Sequence, residues 1–333
     1  MQSVGLSTHI WNNNIKSGFL LAGFPILLLV LTWLFCFLLA WSGGKTEADL
    51  IAFANQGVAD YAHIVIGAAL VWLIIAWLFH SNMVNAAVAS ESLSRKDNPK
   101  LYNMLENMCI ARGMKMPALR IIESDGLNAF ASGISEKSYT ITFTRGLLDK
   151  LEDDEIEAVM AHELTHIINK DVRLLIISVI FVGMIGFLAQ FAFRSMIYGG
   201  LRSRRDRRSD GRIMLIAMVV LIVGYIFAML IRFAISRSRE YMADAGAVEI
   251  TKNPEAMMRA LMRISGNDYV EETPADVEQM CIENSHKFMG VFATHPPIER
   301  RVQAISETTG AAVPDLSAGS EYAIDRGRNP WAR

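Results

Sequence analysis

Four stretches of this chain carry almost no charge, and they restrict the folds open to it more than any other feature. Residues 19–41 and 213–231 hold no ionisable side chain other than Cys36 and Tyr225, residues 62–79 hold only His63 near their start, and residues 174–193 are interrupted near their end by Gln190. A bilayer core takes about 20 apolar residues of helix, so each run is long enough to cross one. Buried core helices are the alternative for the second and fourth. The chain is 52% hydrophobic with a mean hydropathy of +0.28 and only 20% charged residues, and the charge deficit sits in these blocks. The first run is too long for the apolar part of a signal peptide, has only Lys16 as a cation before it, and is followed by Ser42-Gly43-Gly44-Lys45 with no small-residue cleavage site. It is expected to stay as an anchor.

The remaining composition excludes more than it proposes. A net charge of −2 points to neither nucleic acid nor a strongly acidic partner. No phosphate-binding glycine loop is present, so no ATP requirement is expected. Cys36, Cys109 and Cys281 have neither metal-ligand spacing nor a disulfide pattern, and are expected to pack.

Between the runs the chain has the texture of a mixed α and β domain. After a polar lead, Pro25 is expected near the start of the first helix, where proline is best tolerated. The acidic connection from Ser42 to Tyr61 is expected as a loop. Residues 86–108 read as an amphipathic helix broken at Asn98-Pro99. Residues 118–123 and 138–144 have strand composition, the second with clear alternation. Asp154 with Glu157 three residues on could form a capping box. The helix it opens carries His162-Glu163-Leu164-Thr165-His166.

That five-residue pattern places two imidazoles one helical turn apart on one face, where both reach a single zinc ion. Glu163 can then take a proton from a zinc-activated water. A hydrolytic zinc needs a third protein ligand. Downstream, Glu240 and Asp244 share a helix face in Ser238-Arg239-Glu240-Tyr241-Met242-Ala243-Asp244. A carboxylate ligand at Glu240, with Asp244 holding the ring N–H of a histidine ligand, fits this spacing. Pairing with Arg237 and Arg239 on a solvated helix fits it too. Two candidate spans lie between the two motifs, an even number, so both return to one side of the membrane.

Taken in order, these motifs resemble the HtpX-type membrane zinc metalloproteases, relatives of the CAAX prenyl proteases and the mitochondrial Oma-type proteases. The resemblance rests on Asn128-Ala129-Phe130-Ala131, on Ala161 to His166 with Asn169 and Asp171 following, on Ser238 to Asp244, and on Thr294-His295-Pro296-Pro297 with Arg301. It implies one Zn2+ per chain held by His162, His166 and Glu240, with Glu163 as general base and Asp244 behind a ligand. His295 is then the candidate for stabilising the oxyanion, although a turn histidine before two prolines would look the same. Arg301 would anchor the local structure or brace the site. Asn128, Ala129, Phe130 and Ala131 resemble the strand that borders the cleft and pairs with substrate backbone, or form an ordinary strand with Phe130 in the core. The implied fold is a mainly α membrane protein with an α+β gluzincin-like domain, about four membrane helices and a small β-sheet at the active site. The implied activity is endoproteolysis of misfolded or damaged membrane proteins in a bacterial inner membrane. Membrane-protein substrates and the lipid bilayer are the expected partners; oligomeric state is left open. A CAAX-type prenyl-protein protease and a catalytically inactive membrane scaffold are the competing functions.

The expected organisation is a pair of membrane helices in residues 1–85, a soluble segment with the zinc motif in 86–173, a membrane hairpin in 174–231, a second soluble segment completing the site in 232–307 and a flexible tail in 308–333. With the catalytic segments cytoplasmic, as the resemblance favours, most cations fall inside. The six arginines of residues 202–212 then either face outward, against the positive-inside tendency, or sit on a hairpin that does not fully cross.

Overall fold

In the computed structural model of the protein, the residues described are 6–43, 45–177, 180, 184–185, 194, 215–226, 238–265 and 296–315. Two long helices lead: α1 spans Leu6–Ser42 and α2 spans Glu47–Ala87. Within them Ala22–Ser42 and Glu47–Phe79 are long and apolar enough to cross a membrane. Their outward faces leave Phe19, Ile26, Leu70, Val71 and Leu78 half exposed or more, an apolar surface that suits lipid rather than water. Where the two helices meet, Trp33 Nε1 donates to Asn55 Oδ1 at 2.9 Å. Gly57 leaves the space that the Cys36 side chain fills.

Both helices outrun their apolar runs. Pro25 lies inside α1, not in its first turn. Residues expected in an acidic loop are instead helical from Glu47 on. The Thr46 hydroxyl donates to Asp49 at 2.6 Å and Gln56 pairs with Asp60 at 2.7 Å. Glu47 and Asp49 also sit in the first turn, where the helix dipole favours acids. Hydropathy marks the part of a helix that prefers lipid, whereas capping and i,i+4 pairing set where it starts.

A four-stranded sheet follows: β1 (Glu91–Leu93), β2 (Ala118–Ile122), β3 (Ala129–Ser132) and β4 (Thr140–Thr144), in the order β1-β2-β4-β3. β2 and β4 are parallel, and the outer pairs are antiparallel. β4 alternates in sequence as a half-exposed strand would, yet all five of its residues are buried. Two of the three threonines on its polar face, Thr140 and Thr144, find partners inside the domain. Ser132 and Thr140 share a hydroxyl contact of 2.5 Å, and Thr144 Oγ1 exchanges hydrogen bonds of 2.9 Å with the backbone of Asn128. The helix expected across residues 86–108 is replaced by the end of α2, β1 and then α3 (Pro99–Arg112). Asn98-Pro99 does not break a helix but starts one: Asn98 accepts from Leu101 N–H at 3.0 Å, and proline at the first position gives up an N–H that has no helical partner.

After the short α4 (Arg145–Lys150) comes α5 (Asp153–Ile168), the central helix. Ala158, Val159, Met160, Ala161 and Leu164 are fully buried there. Its N-cap is Glu152, whose N–H donates to Glu155 at 2.9 Å. The box therefore forms two residues earlier than Asp154 and Glu157. Asp154 is drawn away by an ion pair with Arg259. α6 (Ser238–Thr251), α7 (Pro254–Ile264) and α8 (Ile298–Thr309) complete the domain. Buried Glu155 ties α7 to α5 through Arg259 at 3.2 Å and Arg263 at 2.9 Å.

One apolar core joins residues from Val88 through Ile176 to those from Ala247 through Ile305. A second cluster joins Phe24 and Leu28 of α1, Ala69 of α2, Ile177, Met184 and Ile185. Residues 171–177 and Leu215–Ile226 are helical. Full crossing by residues 174–193 and 213–231, and the side taken by the basic loop 198–212, lie outside the described residues. Cys36 and Cys109 are buried free thiols, and burial pushes the Cys109 thiol up to about 11. Packing is the role expected of them.

Candidate metal centre

The site is built where α5 and α6 touch. Gly246 of α6 lies against Thr165 of α5, and a side chain at that position would run into the threonine. The close approach lets α6 carry Glu240 and Asp244 over the face of α5 that bears His162 and His166. His162 is fully buried, with Glu163 at 2%, Glu240 at 5% and Asp244 at 2% exposure. Charged groups reach such depths only when paired or when they bind metal.

The donor atoms converge. Nε2 of His162 lies 3.2 Å from Nε2 of His166. Glu240 Oε2 is 3.7 Å from the first and Oε1 is 3.7 Å from the second. The two rings meet edge to face at 88°. A tetrahedral zinc with bonds of roughly 2.0–2.2 Å separates its ligand atoms by roughly 3.3–3.5 Å, so two imidazoles and one carboxylate at these distances fit it. Charge agrees: Glu163, Asp171, Glu240 and Asp244 are all buried here against the guanidinium of Arg301, an acidic excess that a divalent cation offsets. His162, His166 and Glu240 are the residues that could hold it.

The surrounding side chains orient these donors. Asp244 Oδ1 stands 3.0 Å from Nδ1 of His162, on the ring edge opposite the donor nitrogen. Asp244 is itself gripped by fully buried Arg301, whose Nε and Nη2 donate to its two oxygens at 2.9 and 2.6 Å. Arg301 comes from α8, and its Nη1 is 3.7 Å from Glu240 Oε2. Burial alone would raise the Asp244 carboxyl, but Arg301 and His162 hold it below its ordinary value. Burial pushes the His162 imidazole down to about 4, with Asp244 pulling the other way. For His166 burial also acts downward, yet Glu240, Asp171 and Glu163 outweigh it and hold the ring up at about 9.

Six of the residues singled out from sequence, His162, Glu163, His166, Glu240, Asp244 and Arg301, thus meet at one point. His295 lies outside the described residues. Asn128 and Ala129–Ser132 form the approach to β3 and the strand itself, which ends the sheet beside α5. Ala129, Phe130 and Ala131 are only 1–3% exposed, so the strand edge is covered and Phe130 is a core residue. The sequence counts Asp171 among the residues of the resemblance but gives it no role at the site, where its Oδ2 lies 3.1 Å from Nδ1 of His166. Five residues from the histidine and outside its helix, it carries no periodic signal that would tie it to the ring.

Residues 95–309 match peptidase family M48. A protease HtpX homolog of Bacteroides fragilis (strain YCH46) is 47% identical over 321 residues, 92% of this chain and 100% of that protein. A protease HtpX homolog of Listeria monocytogenes serotype 4a (strain HCC23) is 37% identical over 256 residues, 72% of this chain and 84% of that protein. Among solved structures, the crystal structure of S. mikatae Ste24p aligns with a TM-score of 0.47 and 18% identity, over 89% of this chain and 66% of that one. The matched family and the donor set beside a buried glutamate are those of a metalloprotease, here with two helices long and apolar enough to cross a membrane. Within that class the chain belongs to peptidase family M48, alongside the HtpX homologues.

Proposed function

We propose that this protein is a zinc endopeptidase of the bacterial inner membrane that hydrolyses misfolded or damaged membrane proteins, with its active site on the cytoplasmic side. The observation that carries the reading is the convergence of His162, His166 and Glu240 beside buried Glu163, one turn from the segment that enters the third apolar run. A centre so close to the bilayer meets chain segments as they leave it.

Zinc held by His162, His166 and Glu240 would supply a Lewis acid that polarises the scissile carbonyl and acidifies water. The chain does the rest. Glu163 takes the proton of the attacking water and passes it to the leaving nitrogen, which lets the amine depart neutral. His295 is assigned the oxyanion. Arg301 fixes Asp244 and Asp244 fixes the His162 ring, so neither needs to touch substrate. An extended substrate would add to the β3 edge through backbone hydrogen bonds that read no side chain, in keeping with broad specificity.

The test is cleavage of casein and of an unfolded membrane protein by the purified full-length chain, with zinc content measured on the same samples. Glu163→Gln should keep its zinc and lose at least about 100-fold in rate, the scale of a positioned general base. Full activity in that variant would remove Glu163 from the mechanism. A zinc-loaded but inactive wild type, against these substrates and a prenylated peptide, would favour the scaffold.

A further inference from the structure

Asp244 accounts for the orientation of His162, and the histidine on the next turn has its own buried acid. Asp171 is 2% exposed, and its Oδ2 lies 3.1 Å from His166 Nδ1. It does not belong to α5. That helix ends at Ile168, Asn169 caps it, and Lys170 turns the chain with a φ of 59°. A residue with a Cβ adopts this left-handed conformation only at a cost of about 1 kcal/mol. The turn has a geometric effect. Had α5 simply continued, a residue five positions beyond His166 would point about 140° away from it around the helix. Turning left-handed at Lys170 starts a new helix at residues 171–177 and brings its first side chain back to the imidazole.

This short helix is also anchored on two sides. Val172 and Ile176, one turn apart, join the core around α5. Ile177 joins Phe24 and Leu28 of α1 and Ala69 of α2 in the cluster between the long helices. Asp171 is therefore carried by a segment wedged between the protease core and the membrane helices.

We propose that Asp171 is the positioning residue for His166. By accepting the Nδ1–H it selects the tautomer with a free lone pair on Nε2, and so the start of the third apolar segment holds one of the metal ligands in place. An imidazole has one protonated and one free nitrogen when neutral, and an acceptor at one edge decides which nitrogen faces the metal. The inference rests on His166 being a ligand, and the experiment separates the two.

Zinc affinity is measured by chelator competition on the full-length protein in detergent micelles, for wild type, Asp171→Ala, Asp171→Asn, His166→Ala and Asp154→Asn. Losing the carboxylate at position 171 should weaken zinc binding about 10–100-fold, the usual effect of removing the partner of a ligand histidine. Asp154→Asn cuts a stabilising ion pair with Arg259 away from the donors and should leave affinity unchanged. Cobalt(II) absorption in place of zinc reads ligand geometry directly, and should shift in Asp171→Asn but not in Asp154→Asn. If Asp171→Ala does not fold, the isosteric Asn variant decides alone. Affinities within twofold of wild type at position 171, with zinc lost in His166→Ala, overturn the role of Asp171 and leave the ligand set standing. Equal weakening in Asp154→Asn reduces the effect to general stability and also overturns it. Wild-type affinity in His166→Ala overturns the ligand set itself.

Discussion

The two site histidines carry different protons although their rings stand 3.2 Å apart at Nε2. His162, depressed to about 4 by burial, is neutral at pH 7. His166 is held at about 9 because Glu240, Asp171 and Glu163 together outweigh its burial, and so it is cationic without metal. A metal takes the lone pair of both rings, so it must displace whatever proton His166 holds. Zinc binding at pH 7 is therefore expected to release close to one proton. Release should fall toward zero above about pH 10, where His166 is already neutral, and grow toward two below about pH 4, where His162 is charged as well. Apparent affinity then rises about tenfold per pH unit between those limits and levels off above them. Calorimetric titrations in two buffers of different ionisation enthalpy measure the release; a value near zero at pH 7 would show that His166 is neutral in the free protein.

Among the elements, the contact that makes the site is α5 against α6, and Gly246 sets its distance. A Cβ there meets the Thr165 side chain, whereas one at Gly23 in α1 meets nothing within 4 Å. Gly246→Val should push α6 outward and cost about 1–3 kcal/mol, as overpacking of a close-packed contact does. It should also weaken zinc binding by more than tenfold, because Glu240 and Asp244 ride on the displaced helix. Gly23→Ala should change neither quantity. Urea unfolding with zinc analysis on both variants checks this, and a stable Gly246→Val that keeps its zinc would mean that α6 tolerates the shift.

For the whole molecule, the centre draws on α5, α6 and α8 and on the segment that leads into the third apolar run, so its occupancy should bear on global stability. Without metal the buried carboxylates of Glu163, Glu240, Asp171 and Asp244 share one compact region. Free zinc at 100 times its dissociation constant should add about 2.7 kcal/mol to the stability of the chelator-treated protein. Thermal unfolding in detergent, with and without added zinc, reads this as a shift in Tm; no shift would mean that the metal binds the unfolded chain equally well. The same unity explains what could be seen in advance. The apolar runs, the strand composition of residues 118–123 and 138–144 and the paired histidines all depend on near neighbours, and all were legible. The limits of α1 and α2, the cap at Glu152 and the covered edge of β3 were not, because each is decided by a partner outside the local pattern.

The sequence by itself determined the chemistry available: two imidazoles one turn apart with a glutamate between them, two carboxylates one turn apart further on, and apolar helices to hold them at a membrane. Helical periodicity is a local property, so these spacings survive in any fold that keeps the helices. Only the tertiary structure decided which acid serves which ring. Asp244 meets His162 because Gly246 lets α6 lie close on α5, and Arg301, 57 residues further along the chain, clamps it from α8. Asp171 meets His166 because Lys170 turns left-handed against its own preference. Those contacts follow from packing between distant segments and from one strained dihedral, and neither leaves a period in the sequence.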